Sequence, residues 1–383
     1  MIWSLVILPF AGAALAMLLQ GSRFMLGATA CVTLASTVLA AVAGTIGEWS
    51  ARLAWSRWLE LTAGMTPTSA TMAVLVPVIA LPVVLYAAAH EEERGLARLI
   101  ALMLLFVGSM ELLVVATDLL TLLIGWELVG ACSWALIGHH WRDAANPASG
   151  QYAFLATRLG DLGLFVAAMA AFAGTGSFAY EALERLSPAD LQIVAFGLLV
   201  SAAAKAGQVP FAPWLFRAMA GPTSVSALLH AATMVAAGAY LLIRLEPQLN
   251  RAEGFAALTL TIGLVTALAG GLVALIQNHA KKLLAASTSA HYGLMFVAVG
   301  TGYPAVALLH LVAHAAFKAA LFLSAGVAGE RADTYALDKM GFGRVLPVTA
   351  AFSAVAALAL AGVPPLGAGW TKETIVAAAG HDG

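Results

Sequence analysis

The run Gly197-Leu198-Leu199-Val200-Ser201-Ala202-Ala203-Ala204-Lys205-Ala206-Gly207, continued as Gln208-Val209-Pro210-Phe211-Ala212-Pro213-Trp214, sets a lysine in an apolar helix pattern just before two prolines. At that depth in a membrane span a lysine costs roughly 3 kcal/mol or more unless something answers its charge, so it marks a functional position. Pro210 and Pro213 break the helix beside it. Outward from this run, 61% of the residues are hydrophobic, 10% are charged and the mean hydropathy is +0.91. That balance belongs to a bilayer rather than to water, so the expected fold is an all-α integral membrane protein.

Spans of about 20 apolar residues give roughly twelve crossings. They fall near 3–19, 26–46, 71–89, 97–116, 117–138, 150–173, 192–219, 222–244, 256–276, 284–301, 304–328 and 346–363, with half a helix at 371–380. The first span has neither a basic leading region nor a small-residue cleavage site, so it reads as a retained helix rather than a signal peptide. Cys31 and Cys132 both fall inside spans, which argues for packing and against a disulfide framework or a cysteine-ligated cluster.

Basic residues set the orientation, since cytoplasmic loops carry the excess of Lys and Arg. With the N-terminus outside, the inward loops hold Arg23, Arg94, Arg98, Arg142, Arg217, Lys281, Lys282, Arg331, Lys339 and Arg344. The outward loops hold only Arg52, Arg57, Arg185, Arg244 and Arg251, which favours that orientation. Four of the nineteen bases belong to no loop: Arg158, Lys205, Lys318 and Lys372. Three acids are stranded with them, Glu111, Glu127 and Asp161.

Each stranded charge has a candidate partner in another span. Glu127, near the middle of span five, and Lys205, in span seven, are expected to form an ion pair in which each lowers the desolvation cost of the other. Separating them would disfavour both charged forms, so a pair that opens and closes is a proton switch. The blander alternative is a fixed salt bridge between two helices. His230 shares span eight with Thr223, Ser226 and Thr233, a polar stripe able to hold a file of water. A lone histidine is usually a satisfied core residue, and this polar company is what raises it to a relay candidate.

Span eleven carries His310-Leu311-Val312-Ala313-His314-Ala315-Ala316-Phe317-Lys318. Steps of four put His310, His314 and Lys318 on one face, a titratable column about 12 Å long. Two histidines four apart also suit a metal, but no glutamate follows the first and no third ligand is evident, so zinc is not expected. Span ten adds Ser287, Thr288, Ser289, His291 and Tyr292 to the same polar region. The chain also echoes itself, because Pro364-Pro365 precedes Gly369-Trp370-Thr371-Lys372-Glu373 much as the prolines flank Lys205. Paired interruptions of this kind point to inverted repeats with working groups at the breaks. On this reading 1–383 is one polytopic membrane domain: N-terminal helices over 1–96, a first repeat over 97–244, and an incomplete second repeat over 256–383.

The runs Gly125-Trp126-Glu127, Ala204-Lys205-Ala206-Gly207-Gln208-Val209-Pro210-Phe211, Pro222 through Val235 and His314 through Leu323 resemble the antiporter-like subunits of respiratory complex I. The similarity is greatest to the large L-type subunit, whose relatives include the large subunits of multisubunit Na+/H+ antiporters, and it covers about residues 70 to 380. It implies a proton channel of two inverted five-helix repeats. It further implies that Glu127 is the paired glutamate, Lys205 the lysine of the first broken helix and His230 the bridging histidine. Lys318 would be the central lysine, His314 its companion, and Lys372 the lysine of the second broken helix near the exit. His310 extends that pathway, while Arg158, Asp161 and Glu111 are expected to modulate it. Such subunits usually continue past Lys372, so this chain, which stops at Gly383, is either a shortened member or a fragment. Glu373 stands where an aspartate is common, and His139-His140-Trp141 reads as an interfacial anchor, with a role at a proton entrance as the alternative.

The implied mechanism is electrostatic. A partner event perturbs the Glu127–Lys205 pair, and protons step by way of His230 to Lys318, then to Lys372 and the outer face. Moving one charge against 100 mV costs about 2.3 kcal/mol, and a two-unit change in proton affinity supplies about 2.7 kcal/mol, so shifts of ordinary size suffice. The chain has no Gly-rich dinucleotide fingerprint and no cysteine cluster, and its nine histidines are not spaced as haem ligands. Quinone, FMN and iron–sulfur clusters are therefore expected only in partner subunits, and no catalytic redox site or nucleic-acid partner in this one. The expected location is an energy-coupling membrane, the bacterial inner membrane, among other membrane subunits. Alternatives are an Na+/H+ antiporter subunit, the proton-conducting partner of a bicarbonate-uptake complex, or a non-conducting scaffold. Intact buried charges argue against the scaffold, which would gain from apolar replacements.

Overall fold

The computed structural model describes residues 1–47, 49–56 and 59–381. Arg57, counted above among the outward-loop bases, lies outside the described residues. The first four helices are α1 (Ser4–Leu19), α2 (Arg23–Gly47), α3 (Pro67–His90) and α4 (Leu96–Val115). Next come α5 (Leu119–Ile137), α6 (Ala145–Thr175), α7 (Pro188–Lys205) and the short α8 (Pro213–Ala218). The second part holds α9 (Thr223–Ala231), α10 (Met234–Leu249), α11 (Phe255–Leu275), α12 (Ala280–Gly300), α13 (Pro304–Ala332), α14 (Pro347–Ala361) and α15 (Gly367–His381).

By length and apolarity, ten helical segments among the described residues can cross a bilayer, with α9 and α10 counted as one. The expected twelve are reached only by adding α1 and α14, which at 16 and 15 residues fall short of a full hydrocarbon core. Local chemistry sets the starts. Thr66 and Ser69 form a reciprocal capping box on α3, Ser187 caps α7, and Pro67, Pro188, Pro304 and Pro347 occupy first-turn positions where no amide donor is needed.

Two ends of the bundle are defined by loop contacts. At one, β1 (Ser50–Ala54) and β2 (Glu60–Gly64) form an antiparallel hairpin that the reading by spans leaves out. Asp118 ties this hairpin to α5, accepting the Thr121 amide at 2.7 Å and the Thr62 amide at 2.9 Å. At the opposite end Arg23 donates to the carbonyls of Ala88 and Ala89, and the Ala280 amide donates to Tyr335 O. These ends are called here the hairpin face and the basic face.

All residues from 221 to 243 are buried, so α9 and the first half of α10 form the centre of the bundle. Span eight is itself interrupted there, because Ala232 and Thr233 leave helical geometry and the Thr233 hydroxyl donates to Leu228 O at 2.5 Å. By contrast α11 presents Leu258, Leu264, Leu268, Leu272 and Leu275 outward, as a lipid-facing helix does.

Candidate functional site

Small residues set the first half of the site by letting α6 and α7 touch backbone to backbone. A methyl added at Gly163 would lie 2.4 Å from Gly197 O, and one added at Gly197 would lie 2.5 Å from Gly163 O. The Ser201 hydroxyl clamps the same contact, donating to Gly160 O at 2.6 Å and accepting the Leu164 amide at 3.0 Å. This closeness brings Asp161 onto the lysine at the end of α7: Lys205 Nζ lies 3.3 Å from Asp161 Oδ2, with both side chains buried. Trp126 Nε1 donates to Asp161 Oδ1 at 2.5 Å, and its ring lies 5.3 Å from the ammonium. Gly207, with φ +59, turns the chain immediately afterwards in a conformation that favours glycine.

The expected Glu127–Lys205 ion pair is therefore not the one formed. Glu127 instead meets Arg158 at 2.6 Å, in a half-exposed pair, and Lys205 reaches it only through the Coulomb field. The glycine contact brings α6 onto α7, and Asp161 is the carboxylate that meets Lys205 there. Arg158 and Asp161, one turn apart on α6, thus divide the other two charges between them. Glu111 is fully buried on α4, and neither of its oxygens has a hydrogen-bond partner among the described residues.

His230 lies between Trp214 and Phe322, with ring centroids 6.1 Å and 5.6 Å away. Both its nitrogens lack a protein partner among the described residues. The hydroxyl stripe expected to accompany it turns elsewhere: Ser226 donates to Pro222 O, Thr233 to Leu228 O, and Thr223 pairs with the Tyr335 hydroxyl at 2.7 Å. Trp214 Nε1 donates to Ala204 O at 2.8 Å, so one indole touches both the lysine's neighbour and the histidine.

The second half is more continuous. Lys318 Nζ donates to Leu284 O at 2.9 Å and to the Ser287 hydroxyl. His314 Nδ1 lies 3.3 Å from Ala231 O, and its ring is 5.5 Å from that of His291. His291 Nδ1 meets His310 Nε2 at 3.0 Å, and His310 Nδ1 meets Thr371 Oγ1 at 2.7 Å. Lys372, one residue on, is half-buried and donates to Leu360 O at 2.6 Å. The helical column of His310, His314 and Lys318 is thus present, but His291 supplies its lateral link. Its imidazole was legible in span ten; its position between two others was not.

Lys281 is the residue sequence reasoning misplaced. Assigned to a loop, it is 4% exposed in the first turn of α12 and donates to Gly221 O at 2.7 Å. None of Lys281, Lys318 and Lys372 has a carboxylate within ion-pair distance among the described residues. Outside the spans, burial holds the His139 pKa down at about 4, with Arg98 and His140 adding to it. Burial and then Lys282 and Lys281 lower that of His279. No group of three or more His, Cys, Asp or Glu among the described residues has the geometry of a metal site. Ring nitrogens, hydroxyls and amines in this order can each take and release a proton, which is the one chemistry the whole set shares.

Residues 116–381 match the family described as NADH:quinone oxidoreductase/Mrp antiporter, transmembrane. The chain is 36% identical over 345 residues to the NAD(P)H-quinone oxidoreductase subunit 5 of Paulinella chromatophora, covering 84% of this chain and 51% of that protein. It is 37% identical over 317 residues to NADH-quinone oxidoreductase subunit L of Campylobacter jejuni, covering 80% and 53%. The chain spans about half the length of these curated relatives. Among solved structures it superposes on a chain of the Mrp complex from a Dietzia species with a TM-score of 0.89 and 31% identity, over 98% of this chain and 43% of that one. This chain is accordingly an integral, multi-pass membrane protein belonging to the NADH:quinone oxidoreductase/Mrp antiporter transmembrane family.

Proposed function

We propose that the chain is the proton-translocating membrane subunit of a complex I-like NADH–quinone oxidoreductase, moving protons through its buried lysines and histidines. The observation that carries this is the polar sequence Lys318, His314, His291, His310 and Thr371, which joins α13, α12 and α15 inside the bundle. A structural core would not retain an unpaired buried lysine and three adjoining imidazoles, since apolar residues of similar volume cost less. Names of relatives at 36–37% identity support the same reading.

On this reading Lys205 with Asp161, and Glu127 with Arg158, form the regulated first site, His230 the bridge, and Lys372 the group nearest the exit. Glu111 modulates the pathway. The inverted repeats are 97–244 and 256–383, and other membrane subunits flank the chain. Quinone, FMN and iron–sulfur clusters belong to those partners. The location is the bacterial inner membrane with the N-terminus outside, the orientation favoured by the basic loops. An Na+/H+ antiporter subunit is the second reading, favoured by the likeness to the Mrp complex.

The test is proton flux into liposomes holding the purified chain and an internal pH dye, under an imposed potential. Lys318→Ala should reduce flux to that of protein-free vesicles while the protein still inserts. Full flux in that variant refutes the reading, and flux that requires Na+ selects the antiporter.

A further inference from the structure

A cavity of about 370 Å³ opens on the basic face among the end of α3, the starts of α9 and α12, and the end of α13. Its rim is titratable and tied across the bundle. Glu330 accepts the Tyr86 hydroxyl at 2.7 Å and pairs with His90 at 2.8 Å, with both members of that pair partly exposed. Deeper, Glu91 accepts the Ser224 hydroxyl at 2.6 Å, from the first turn of α9. Lys281 closes the inner wall, nearly inaccessible, with its ammonium 5.5 Å from the Tyr335 ring and within the Coulomb field of Glu91. From Lys281 the next turns of α12 lead to Leu284 and Ser287, the two residues that hold Lys318 Nζ.

We propose that this cavity is an inlet that loads Lys318 without passing Lys205, with Glu91 taking a proton from water, Lys281 relaying it, water carrying it the roughly 9 Å along α12, and Ser287 passing it on. The inlet rests on the proton-translocating reading above and adds a route to it. No member of the Asp161–Lys205 pair takes part, so the second half can be charged while the first pair stays closed. Each transfer moves one proton: the Glu91 carboxylate becomes a carboxyl, the Lys281 ammonium gives its proton onward and regains one from that carboxyl, and the Lys318 amine receives the proton through the serine hydroxyl. An inlet accounts for features a structural corner would not need. An amine whose hydrogen-bond partner among the described residues is a backbone carbonyl, set between an open polar cavity and a second buried amine, is an expensive arrangement in a membrane protein.

The test uses the full chain in liposomes with an internal pH dye, in a background with Cys31 and Cys132 changed to serine. Ala220→Cys lines the cavity and serves as the reporter of water access and correct insertion. It should react with a membrane-impermeant maleimide from one side only, equally with and without the variants below; no reaction from either side overturns the inlet. Lys205→Met should retain a measurable flux. Adding Lys281→Met, or Glu91→Gln, should cut that remainder about tenfold or more, because a positioned proton-transfer group is worth roughly 10²–10⁴ in rate. If adding either change to Lys205→Met leaves its flux within about twofold while labelling is intact, the inlet is wrong and the translocating reading stands. If the unmutated protein gives no flux above empty vesicles, that reading fails and takes the inlet with it.

Discussion

Lys205 Nζ lies 3.3 Å from Asp161 Oδ2, while Glu127 is held by Arg158. The two acids therefore differ in what their loss does. Asp161→Asn strands a buried ammonium and should cost about 3–5 kcal/mol. Glu127→Gln breaks a half-exposed pair and should cost about 1 kcal/mol or less. Unfolding midpoints in detergent order the two; a larger loss for Glu127→Gln would contradict the pairing.

The glycine contact between α6 and α7 makes a second test. Gly197→Ala places a methyl against Gly163 O and should cost about 1–3 kcal/mol by forcing the helices apart. It should also slow proton flux, since the Asp161–Lys205 distance depends on that approach. Gly271→Ala, with open space around it on α11, should leave stability unchanged or slightly raised. Equal effects of the two substitutions would show that the contact does not position the pair.

His291 links two other imidazoles, and a ring without nitrogen separates packing from relay. His291→Phe keeps an aromatic ring of similar volume but cannot pass a proton, so flux should fall about 10²-fold with little change in unfolding temperature. Flux within twofold of the unmutated protein would remove His291 from the path.

On the basic face, His139 provides a pH dependence whose sign is fixed. Its folded pKa of about 4 lies below the ordinary 6.5, so between those values the unfolded chain binds the extra proton. The stability it contributes is complete above pH 6.5 and is lost progressively as pH falls toward 4. Thermal unfolding from pH about 7 to 4.5 should therefore decline, and His139→Gln should flatten part of the decline. Parallel curves for the two proteins would refute the assignment.

The membrane class, most spans and seven intramembrane charges, Lys281 not among them, were legible because hydropathy and stranded charge are one-dimensional signals. The partner of Lys205 was not. Glu127 and Asp161 are equally stranded in sequence, and only the backbone approach at Gly163 and Gly197 decides between them. Lys281 was misread because it stands at a helix start, where a basic residue usually meets solvent, and the fold brings Gly221 and Tyr335 against it. The β1–β2 hairpin escaped notice because Ser50–Ala54 and Glu60–Gly64 alternate polar and apolar residues over only five positions each, between far longer apolar spans; what holds them is their mutual register and the reach of Asp118.

The interruption at Ala232 and Thr233 divides the most enclosed part of the chain into two rods that are no longer one rigid lever. A tilt of α9, whose first turn grips Glu91, need not be copied by α10, whose Tyr240 hydroxyl is fastened to Val114 O at 2.6 Å. The bundle therefore has a universal joint at its hub, placed two residues beyond His230, and strain arriving from either side can be absorbed there.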